Sequence, residues 1–192
     1  MKRSEINTAI REAQAVFAAA GWTLPPRPRW DVTDFGLGKF REKGLVLVNL
    51  AEEPEYCEKI MCAWRDQRTV AHCHGRKKED IIARRGTLRV QLWPGKPGDG
   101  TGQSVSVQIN GEERVIAPGG TVDLASGERI TLRPGVYHEF WPVSEWCVIG
   151  EVSTANDDCN DNFFADPDVG RFPAIDEDEA PLAGLIGELP GK

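Results

Sequence analysis

Three histidines and one glutamate are the residues of this chain whose types and spacing best suit chemistry. His72 and His74 stand two apart in VAHCHGRKKED, Glu79 follows five residues later, and His138 lies in LRPGVYHEFW. On a β-strand, side chains two residues apart share one face, so His72 and His74 would project together. Three imidazoles and one carboxylate form a ligand set for a divalent metal ion. The alternative is that the histidines are ordinary core or surface residues, since an HxH spacing also arises by chance.

The elements that must position these side chains are short strands. Between about residues 44 and 152, apolar runs of four to nine residues alternate with turn signals, and no second helical pattern occurs. In GTLRVQLW the leucines and the valine alternate with polar residues, as on a strand with one wet face. Asn110-Gly111 is a strong hairpin signal, because a type I′ turn needs positive φ at both central positions. The sequence therefore predicts an all-β fold of antiparallel strands.

The N-terminal residues have a helical pattern. Apolar side chains recur three and four apart over residues 4–20, with Ser4 as N-cap and Gly21 as stop. An amphipathic helix of this kind packs on a sheet or on a partner subunit. A proline-rich connector, LPPRPRW at 24–30, separates this helix from the strands.

The C-terminal residues change character after Asp166. Residues 176–192 include five acids and one lysine among prolines and glycines, a net charge of −4 within the chain's total of −7. This composition predicts a segment that is loosely ordered or that lies over a neighbour. Its only apolar docking residues are Leu182, Leu185 and Ile186. We therefore expect a single domain over residues 1–166 and an irregular acidic tail over 167–192.

Composition limits the possible partners. A chain of 192 residues with 40% hydrophobic residues can bury one substantial core. The net charge of −7 leaves no basic footprint for a phosphate backbone, so we expect no nucleic acid partner. No segment resembles a signal peptide or a membrane span, so we expect no membrane partner. Five cysteines without a CxxC pair indicate free thiols and hence a reducing, cytoplasmic compartment.

Two motifs resemble those of the cupin superfamily. The first is His72-x-His74, four residues, Glu79, six residues and Gly86; the second runs from Gly127 to Pro134-Gly135-x-x-His138. Arg133 and Pro142 depart from the usual form of the second motif. The resemblance implies a cupin-type antiparallel β-barrel, or jelly roll, over about residues 44–152, with the three histidines and Glu79 binding a metal ion inside its mouth.

A narrower resemblance covers most of residues 1–164. It is carried by MKRSEIN, WDVTDFGLGKF at 30–40, EDII at 79–82, PGVYHEFW at 134–141 and GEVSTANDDCNDNFF at 150–164. These stretches are similar to D-lyxose ketol-isomerases. The resemblance implies a metal-dependent aldose–ketose isomerase that interconverts D-lyxose and D-xylulose, with D-mannose and D-fructose as a side reaction. Mixed nitrogen and oxygen ligands suit Mn²⁺, with Co²⁺, Fe²⁺, Ni²⁺ or Zn²⁺ able to compete.

Isomerisation moves a proton between C1 and C2, so it needs an acid/base group beside the metal. Glu151 lies on WCVIGEV with the parity of Cys147 and Ile149, an otherwise apolar face, so we expect a raised pKa and a catalytic role. Its alternative role is a buried hydrogen-bond acceptor. Lys77, two residues before Glu79, is the second catalytic candidate, and its alternative is a solvated loop lysine.

Substrate-binding candidates lie in two polar stretches within the same resemblance. The polar block Asp157-Asp158-x-x-Asp161-Asn162-Phe163 follows the last long strand and would supply hydroxyl-binding groups and an aromatic wall, with Asp161 as the preferred sugar contact. Asp34 and Phe35 are similar candidates in WDVTDFGLGKF. The alternative for Asp161 is an Asx-type turn that closes the strand.

Two other functions stay open. The same three histidines and glutamate can hold Fe²⁺ for a dioxygenase, which would need a more apolar pocket, and a cupin can also bind a sugar without turnover. In each case we expect a homodimer, because an open barrel of this size leaves strand edges that a partner subunit covers.

Overall fold

The computed structural model describes residues 1–100, 102–170 and 173–188. Within them lie one α-helix, thirteen strands and a short 3₁₀ helix. The elements are α1 Arg3–Ala19, β1 Arg29–Thr33, β2 Leu45–Glu52, β3 Tyr56–Trp64, β4 His72–Cys73, β5 Glu79–Arg85, β6 Leu88–Trp93, β7 Val105–Ile109, β8 Glu112–Ile116, β9 Thr121–Leu124, β10 Arg129–Leu132, β11 Tyr137–Pro142, β12 Trp146–Thr154, β13 Phe163–Phe164 and the 3₁₀ helix Ile186–Glu188.

The strands form two antiparallel sheets. The larger has eight strands in the order β1-β2-β3-β12-β5-β10-β7-β8, and the smaller has five in the order β13-β4-β11-β6-β9. Buried side chains of both sheets, such as Met61, Ile149 and Phe140, form one shared core. Asn110 and Gly111 both have positive φ, 52° and 85°, as the predicted hairpin turn requires. The prediction of a mostly β, antiparallel fold is confirmed.

Helix α1 packs on the outer face of the larger sheet. Ile6, Ile10 and Phe17 are almost fully buried, in a second core with Val48 of β2 and Ile60 of β3. Strand β3 is therefore covered on both faces, by the shared core on one side and by α1 on the other. No helix in the described part of the chain is long and apolar enough to span a membrane.

The start of α1 differs from the sequence prediction. The helix begins at Arg3, so Ser4 lies inside its first turn and is not its N-cap. The Ser4 backbone N–H and hydroxyl both donate to the carboxylate of Asp178, over 2.9 and 2.7 Å. A carboxylate at this position accepts a free N–H group of the first turn and opposes the positive end of the helix dipole. The cap therefore comes from the other end of the chain.

Of the two arrangements expected for the tail, loose order or packing over a neighbour, residues 173–188 adopt the second, because they lie over α1 and both cores. The Arg3 guanidinium donates to the carboxylates of Glu177 and Glu188. Leu185 and Ile186 are buried, at 5% and 3% exposure, whereas Leu182 is exposed at 45%. Composition suggested disorder because it does not reveal a buried arginine far away in sequence that attracts the acids. Residues 171, 172 and 189–192 of the predicted tail lie outside the described residues.

Two segments near the site also differ from the prediction. Strand β1 starts at Arg29, within the predicted connector, and pairs with β2. The strand expected to carry both His72 and His74 is reduced to the two residues of β4, which pairs with β11 so that His72 lies opposite His138. The irregular backbone after β4 is what turns the chain toward Glu79.

Candidate metal centre and active site

The four metal-ligand candidates converge between the two sheets. His72 is on β4, His74 follows it, Glu79 begins β5 and His138 is on β11. One potential ligand atom from each residue lies within 4.8 Å of the others. Antiparallel pairing of β4 with β11 brings His72 and His138 together, and the turn after His74 returns the chain to Glu79. The spacing noted in the sequence thus corresponds to one cluster in space.

Backbone carbonyls orient the three imidazoles. The Nδ1 atoms of His72, His74 and His138 lie 2.9, 2.8 and 3.1 Å from the carbonyl oxygens of Val70, Asp161 and Val136 respectively. A carbonyl can only accept a hydrogen bond, so each Nδ1 must carry the proton. Each Nε2 is then left as a lone-pair donor, and a hydrogen bond at the far nitrogen is the usual way in which a protein orients a metal-binding histidine.

The cluster leaves buried polar atoms without partners, which tests whether a metal ion fits. His74 Nε2, His138 Nε2 and Glu79 Oε1 have no hydrogen-bond partner among the described residues. The two nitrogens lie 3.4 and 3.0 Å from Glu79 Oε1, but neither approach has hydrogen-bond geometry. Leaving buried polar atoms unpaired costs free energy that a shared cation would recover. Three nitrogen donors and one carboxylate therefore fit a first-row divalent ion.

Protonation states in the cluster also suit a cation. Burial lowers the pKa of the His72 imidazole well below its ordinary value, and the neighbouring His138 and His74 rings lower it further. Burial alone would raise the pKa of Glu79, but the Lys77 ammonium group and His74 hold it well below its ordinary value. A neutral imidazole and an ionised carboxylate are the forms that bind metal ions.

A buried ion cluster adjoins the ligands. Lys77 Nζ lies 2.8 Å from Glu79 Oε2 and 2.9 Å from Glu151 Oε1. Burial acts to lower the pKa of Lys77, but the two carboxylates raise it above its ordinary value. Lys77 is 4% exposed, so it is not the solvated loop lysine that was considered as an alternative. Both catalytic candidates thus lie within reach of the metal-ligand cluster.

The expectation of a raised pKa for Glu151 is wrong. Burial does act to raise it, but the ammonium groups of Lys59 and Lys77 bring the pKa of Glu151 below its ordinary value. The apolar neighbours of Glu151 on β12 are visible in the sequence, whereas the two cations that lower its pKa come from other segments of the chain. Glu151 is therefore an ionised carboxylate held between two lysines.

Lys59 is the functional candidate that sequence reasoning missed. Its Nζ lies 3.5 Å from both Glu151 Oε1 and Asp158 Oδ1, and it is 4% exposed. Burial acts to lower the pKa of Lys59, but Glu151 raises it above the ordinary value. The available signal was a lysine within the apolar run of β3, where Lys59 shares one face with the core residues Met61 and Ala63. A lysine on the inner face of a strand is rare enough to mark a site.

The substrate-binding candidates separate into two groups. Phe35 lines the pocket beside the ligands, where its ring meets that of Phe164 edge-on with centroids 6.3 Å apart. Asp34, Asp161 and Phe163 are not among the lining residues. Asp158 and Asn162, from the same polar block as Asp161, do line the pocket. The polar and aromatic lining residues that the sequence did not single out are Lys59, Thr69, Phe140 and Phe164.

The three candidates that do not line the pocket have other surroundings. The Asp34 carboxylate accepts the backbone N–H groups of Gly36 and Gly38, at 3.0 Å each. Phe163 is 49% exposed, because alternation along β13 turns Phe164 inward in its place. Asp161 accepts hydrogen bonds from the backbone of the loop that follows His74.

Comparisons with known proteins show the family to which the chain belongs. A family model described as D-lyxose isomerase matches residues 27–189. A D-lyxose/D-mannose isomerase of Serratia proteamaculans is 37% identical over 94% of each chain, and a D-lyxose ketol-isomerase of Cohnella laeviribosi is 29% identical over 93% of this chain and all of the relative. A solved L-ribose isomerase of Cellulomonas parahominis shares the fold at 18% identity, with a TM-score of 0.69 over 91% of this chain and 98% of that one.

The family model and the sequence relatives together identify this chain as a sugar aldose–ketose isomerase. The chain belongs to the D-lyxose isomerase family.

Proposed function

We propose that the protein interconverts D-lyxose and D-xylulose and, as a second pair, D-mannose and D-fructose, using a divalent metal ion held by His72, His74, Glu79 and His138. Two relatives that match more than nine-tenths of this chain carry D-lyxose, and one of them also D-mannose, in their names. The observation that carries the proposal is the convergence of three buried, unpaired ligand atoms beside a buried lysine–glutamate pair.

The metal ion, when bound, supplies a Lewis acid for the sugar oxygens at C1 and C2. Glu151 is ionised because two lysines lower its pKa, so its resting form is a base that can take the proton from C2 and return it to C1. Lys77 is held protonated by Glu79 and Glu151, so it donates a hydrogen bond to the oxygen on which negative charge develops. Transfer of the hydroxyl proton from O2 to O1 completes the conversion of aldose to ketose.

Of the substrate-binding candidates Asp161, Phe163, Asp34 and Phe35, only Phe35 lines the pocket, so sugar binding falls to it and to other lining residues. We infer that Asp158 and Asn162 accept and donate hydrogen bonds to hydroxyl groups, and that Phe35 and Phe164 form the apolar wall. Asn162 Nδ2 donates to the Asp158 backbone carbonyl over 2.9 Å, and Asn156 Nδ2 donates to Asp158 Oδ2 over 2.9 Å, so each of the two side chains is held by a hydrogen bond. Ring faces of this kind pack against the C–H faces of a sugar while amide and carboxylate groups fix its hydroxyls.

We infer that the metal ion is Mn²⁺. Three imidazole nitrogens with one carboxylate oxygen form a mixed donor set, and Mn²⁺ accepts such sets while leaving positions for oxygen ligands from a sugar. Co²⁺, Fe²⁺, Ni²⁺ and Zn²⁺ bind the same donors. Metal-stripped protein reloaded with each ion in turn, and assayed at equal occupancy, would rank them.

The test is to incubate the Mn²⁺-loaded protein with D-lyxose and to follow the appearance of D-xylulose by ¹³C NMR. D-xylose is the matched control, because it differs from D-lyxose only at C2 and would yield the same ketose. We expect ketose from D-lyxose, none from metal-stripped protein, and a slower reaction with D-xylose. Binding of D-lyxose without ketose would indicate a sugar-binding module, and metal-dependent uptake of dioxygen would indicate an oxygenase.

A further inference from the structure

The loop between His74 and Glu79 is wrapped around one carboxylate. The backbone N–H groups of Gly75, Arg76 and Lys77 all donate to the side chain of Asp161, the first two to Oδ1 over 3.0 Å each and the third to Oδ2 over 2.9 Å. Successive N–H groups that point inward in this way form an anion-binding nest. Here the anion is supplied by the chain itself, from a residue 84 positions beyond Lys77.

Asp161 also holds a metal-ligand candidate directly. Its backbone carbonyl accepts the Nδ1 hydrogen of His74 over 2.8 Å, which leaves His74 Nε2 toward the cluster. The carbonyl of Asp161 thus holds His74 before Gly75, and its carboxylate holds Arg76 and Lys77 after Gly75. Asp161 is itself anchored, because its backbone N–H donates to the carbonyl of Asp157 over 2.9 Å, and it is 4% exposed.

The approach of the two segments is close enough to restrict the residue at position 75. A Cβ atom on Gly75 would lie 3.2 Å from Asp161 Oδ1 and 3.1 Å from the Phe163 ring. Both distances are shorter than ordinary van der Waals contact, so a larger residue would push the loop away from Asp161. Because Gly75 has no side chain, the loop can approach Asp161 this closely.

These contacts leave Asp161 unsuited to bind a sugar. Its two carboxylate oxygens already accept three backbone N–H groups, and it is not among the residues that line the pocket. Burial acts to raise its pKa, but the N–H groups of Lys77, Arg76 and Gly75 lower it below the ordinary value. The carboxylate is thus ionised and engaged by the backbone of the loop.

We propose that Asp161 is the positioning residue of the metal-binding loop: its carbonyl orients His74, and its carboxylate holds Gly75–Lys77 so that Lys77 lies between Glu79 and Glu151. This inference rests on the proposed function, because it assumes that the cluster binds a metal ion. It assigns to Asp161 an effect on metal affinity and on turnover, although it touches neither metal nor sugar.

The test compares Asp161→Asn with Asp157→Asn. Asp157 is in the same segment and also contacts Arg76, but through an exposed ion pair over 2.9 Å. Mn²⁺ affinity of metal-stripped protein would be measured by calorimetry, together with kcat and KM at saturating Mn²⁺. Asp161→Asn keeps the carbonyl that orients His74 but weakens the acceptor that holds the loop between His74 and Glu79. Loss of a group that supports a metal ligand typically weakens metal binding or activity by about 10–100-fold, so we expect Kd for Mn²⁺ to rise within that range in Asp161→Asn and to stay unchanged in Asp157→Asn.

A second readout separates positioning from a merely structural role. Displacement of Lys77 should lower kcat at saturating Mn²⁺ while KM for the sugar changes little, whereas a fold that is only destabilised would keep its kcat below the melting temperature. If Asp161→Asn does not fold, Gly75→Ala is measured in its place and should raise Kd in the same direction. Wild-type Kd and kcat in the variant would overturn the inference, whereas a wild-type protein that binds no Mn²⁺ would overturn the proposed function instead.

Discussion

Two clusters of charged side chains in this chain have opposite characters. One is the metal-ligand cluster of His72, His74, Glu79 and His138, with Lys77 and Glu151 beside it. The other, the terminal clasp, joins Arg3, Ser4 and Asn7 of α1 to Glu177, Asp178, Glu179 and Glu188 of the tail. Both unite residues that are distant in sequence, and both combine acids with basic or polar groups.

They differ in which atoms are left without partners. In the metal-ligand cluster, three atoms that face one point are buried and unpaired. The clasp contributes only Arg3 Nη1 to the unpaired atoms of the described residues. Its acids are partly exposed, with the Glu177 side chain at 54%, so each ion pair contributes little to stability. Convergent unpaired atoms indicate a place for a ligand, whereas paired ones indicate that the contacts serve the fold.

The largest effect that would test this contrast is expected from His138→Ala. Removal of one nitrogen donor should strip the metal ion or weaken its binding severely, and activity should fall by more than roughly 10³-fold, because several kcal/mol of Lewis-acid stabilisation are lost. The metal-free variant should remain folded, since the wild-type site already leaves Nε2 unpaired. Metal analysis and a ketose assay would measure both effects.

The matched control for His138→Ala is Arg3→Met in the clasp. It removes a buried cation from the other cluster, so metal content and kcat should stay at the wild-type level below the melting temperature. Full metal occupancy with unchanged affinity in His138→Ala would remove that residue from the proposed ligand set.

The next largest effect is expected from Glu151→Gln. The amide keeps the shape of the side chain but cannot exchange a proton, so kcat should fall by roughly 10²–10⁴-fold while KM and Mn²⁺ affinity change little. Glu58→Gln is the control, because Glu58 is on the opposite face of β3 from Lys59 and should leave kcat unchanged. Stopped assays at saturating Mn²⁺ would measure the rates.

Deuterium from the solvent sharpens this test. A base that exchanges its proton with water should introduce deuterium into the product at the carbon that gains the proton. Near-normal kcat in Glu151→Gln would refute the assigned role and direct attention to Lys77 or to a hydride shift.

Sequence reasoning reached the ligand cluster because its information is local. The spacing of His72, His74 and Glu79 is set by one strand and one turn, and residue types alone suggest a metal ion. Lys59 could not be assigned to the site from the sequence because β3 is covered on both faces. Apolar residues therefore occur on both faces of the strand, and the pattern does not show which face points to the pocket. Phe164 rather than Phe163 lines the pocket for a similar reason, since the inward face of a two-residue strand is decided by its pairing with β4.

The tail was predicted only in part. Its acids and prolines are typical of disorder when they are considered alone. Leu185 and Ile186 were expected to dock as an apolar insert, and they contact the two cores. The ionic partner of the tail is Arg3, 174 residues away from Glu177, and this pairing has no local signal in the sequence.

An intermediate effect is expected from Ile186→Ala in the tail. Ile186 is 3% exposed and belongs to the core between the sheets, so its truncation should lower the free energy of unfolding by roughly 2–5 kcal/mol. Leu182→Ala, at 45% exposure, is the control and should change it by no more than about 0.5 kcal/mol. Urea denaturation of the metal-free proteins would measure both changes.

Metal affinity completes the comparison between the tail and the site. Folded Ile186→Ala protein should bind Mn²⁺ as the wild type does, because the tail contributes no ligand candidate among the described residues. Equal stabilities of Ile186→Ala and Leu182→Ala would show that the tail contributes little to the fold, as its composition suggested.

The smallest effect concerns the pH dependence of the clasp. The hydrogen bond from Arg3 lowers the pKa of Glu177 below its ordinary value of 4.5, and that from Ser4 lowers the pKa of Asp178 below 3.8. A carboxylate with a lowered pKa stabilises the fold above its ordinary pKa and loses this contribution as the pH falls through the lower, folded value. The stability difference between wild type and Asp178→Asn should therefore be constant from about pH 7 to 5 and should shrink at more acidic pH. The difference between wild type and Leu182→Ala, which removes no titratable group, should not show this trend. Urea denaturation at each pH would measure it, and a difference that grows toward acid would contradict the assigned cap.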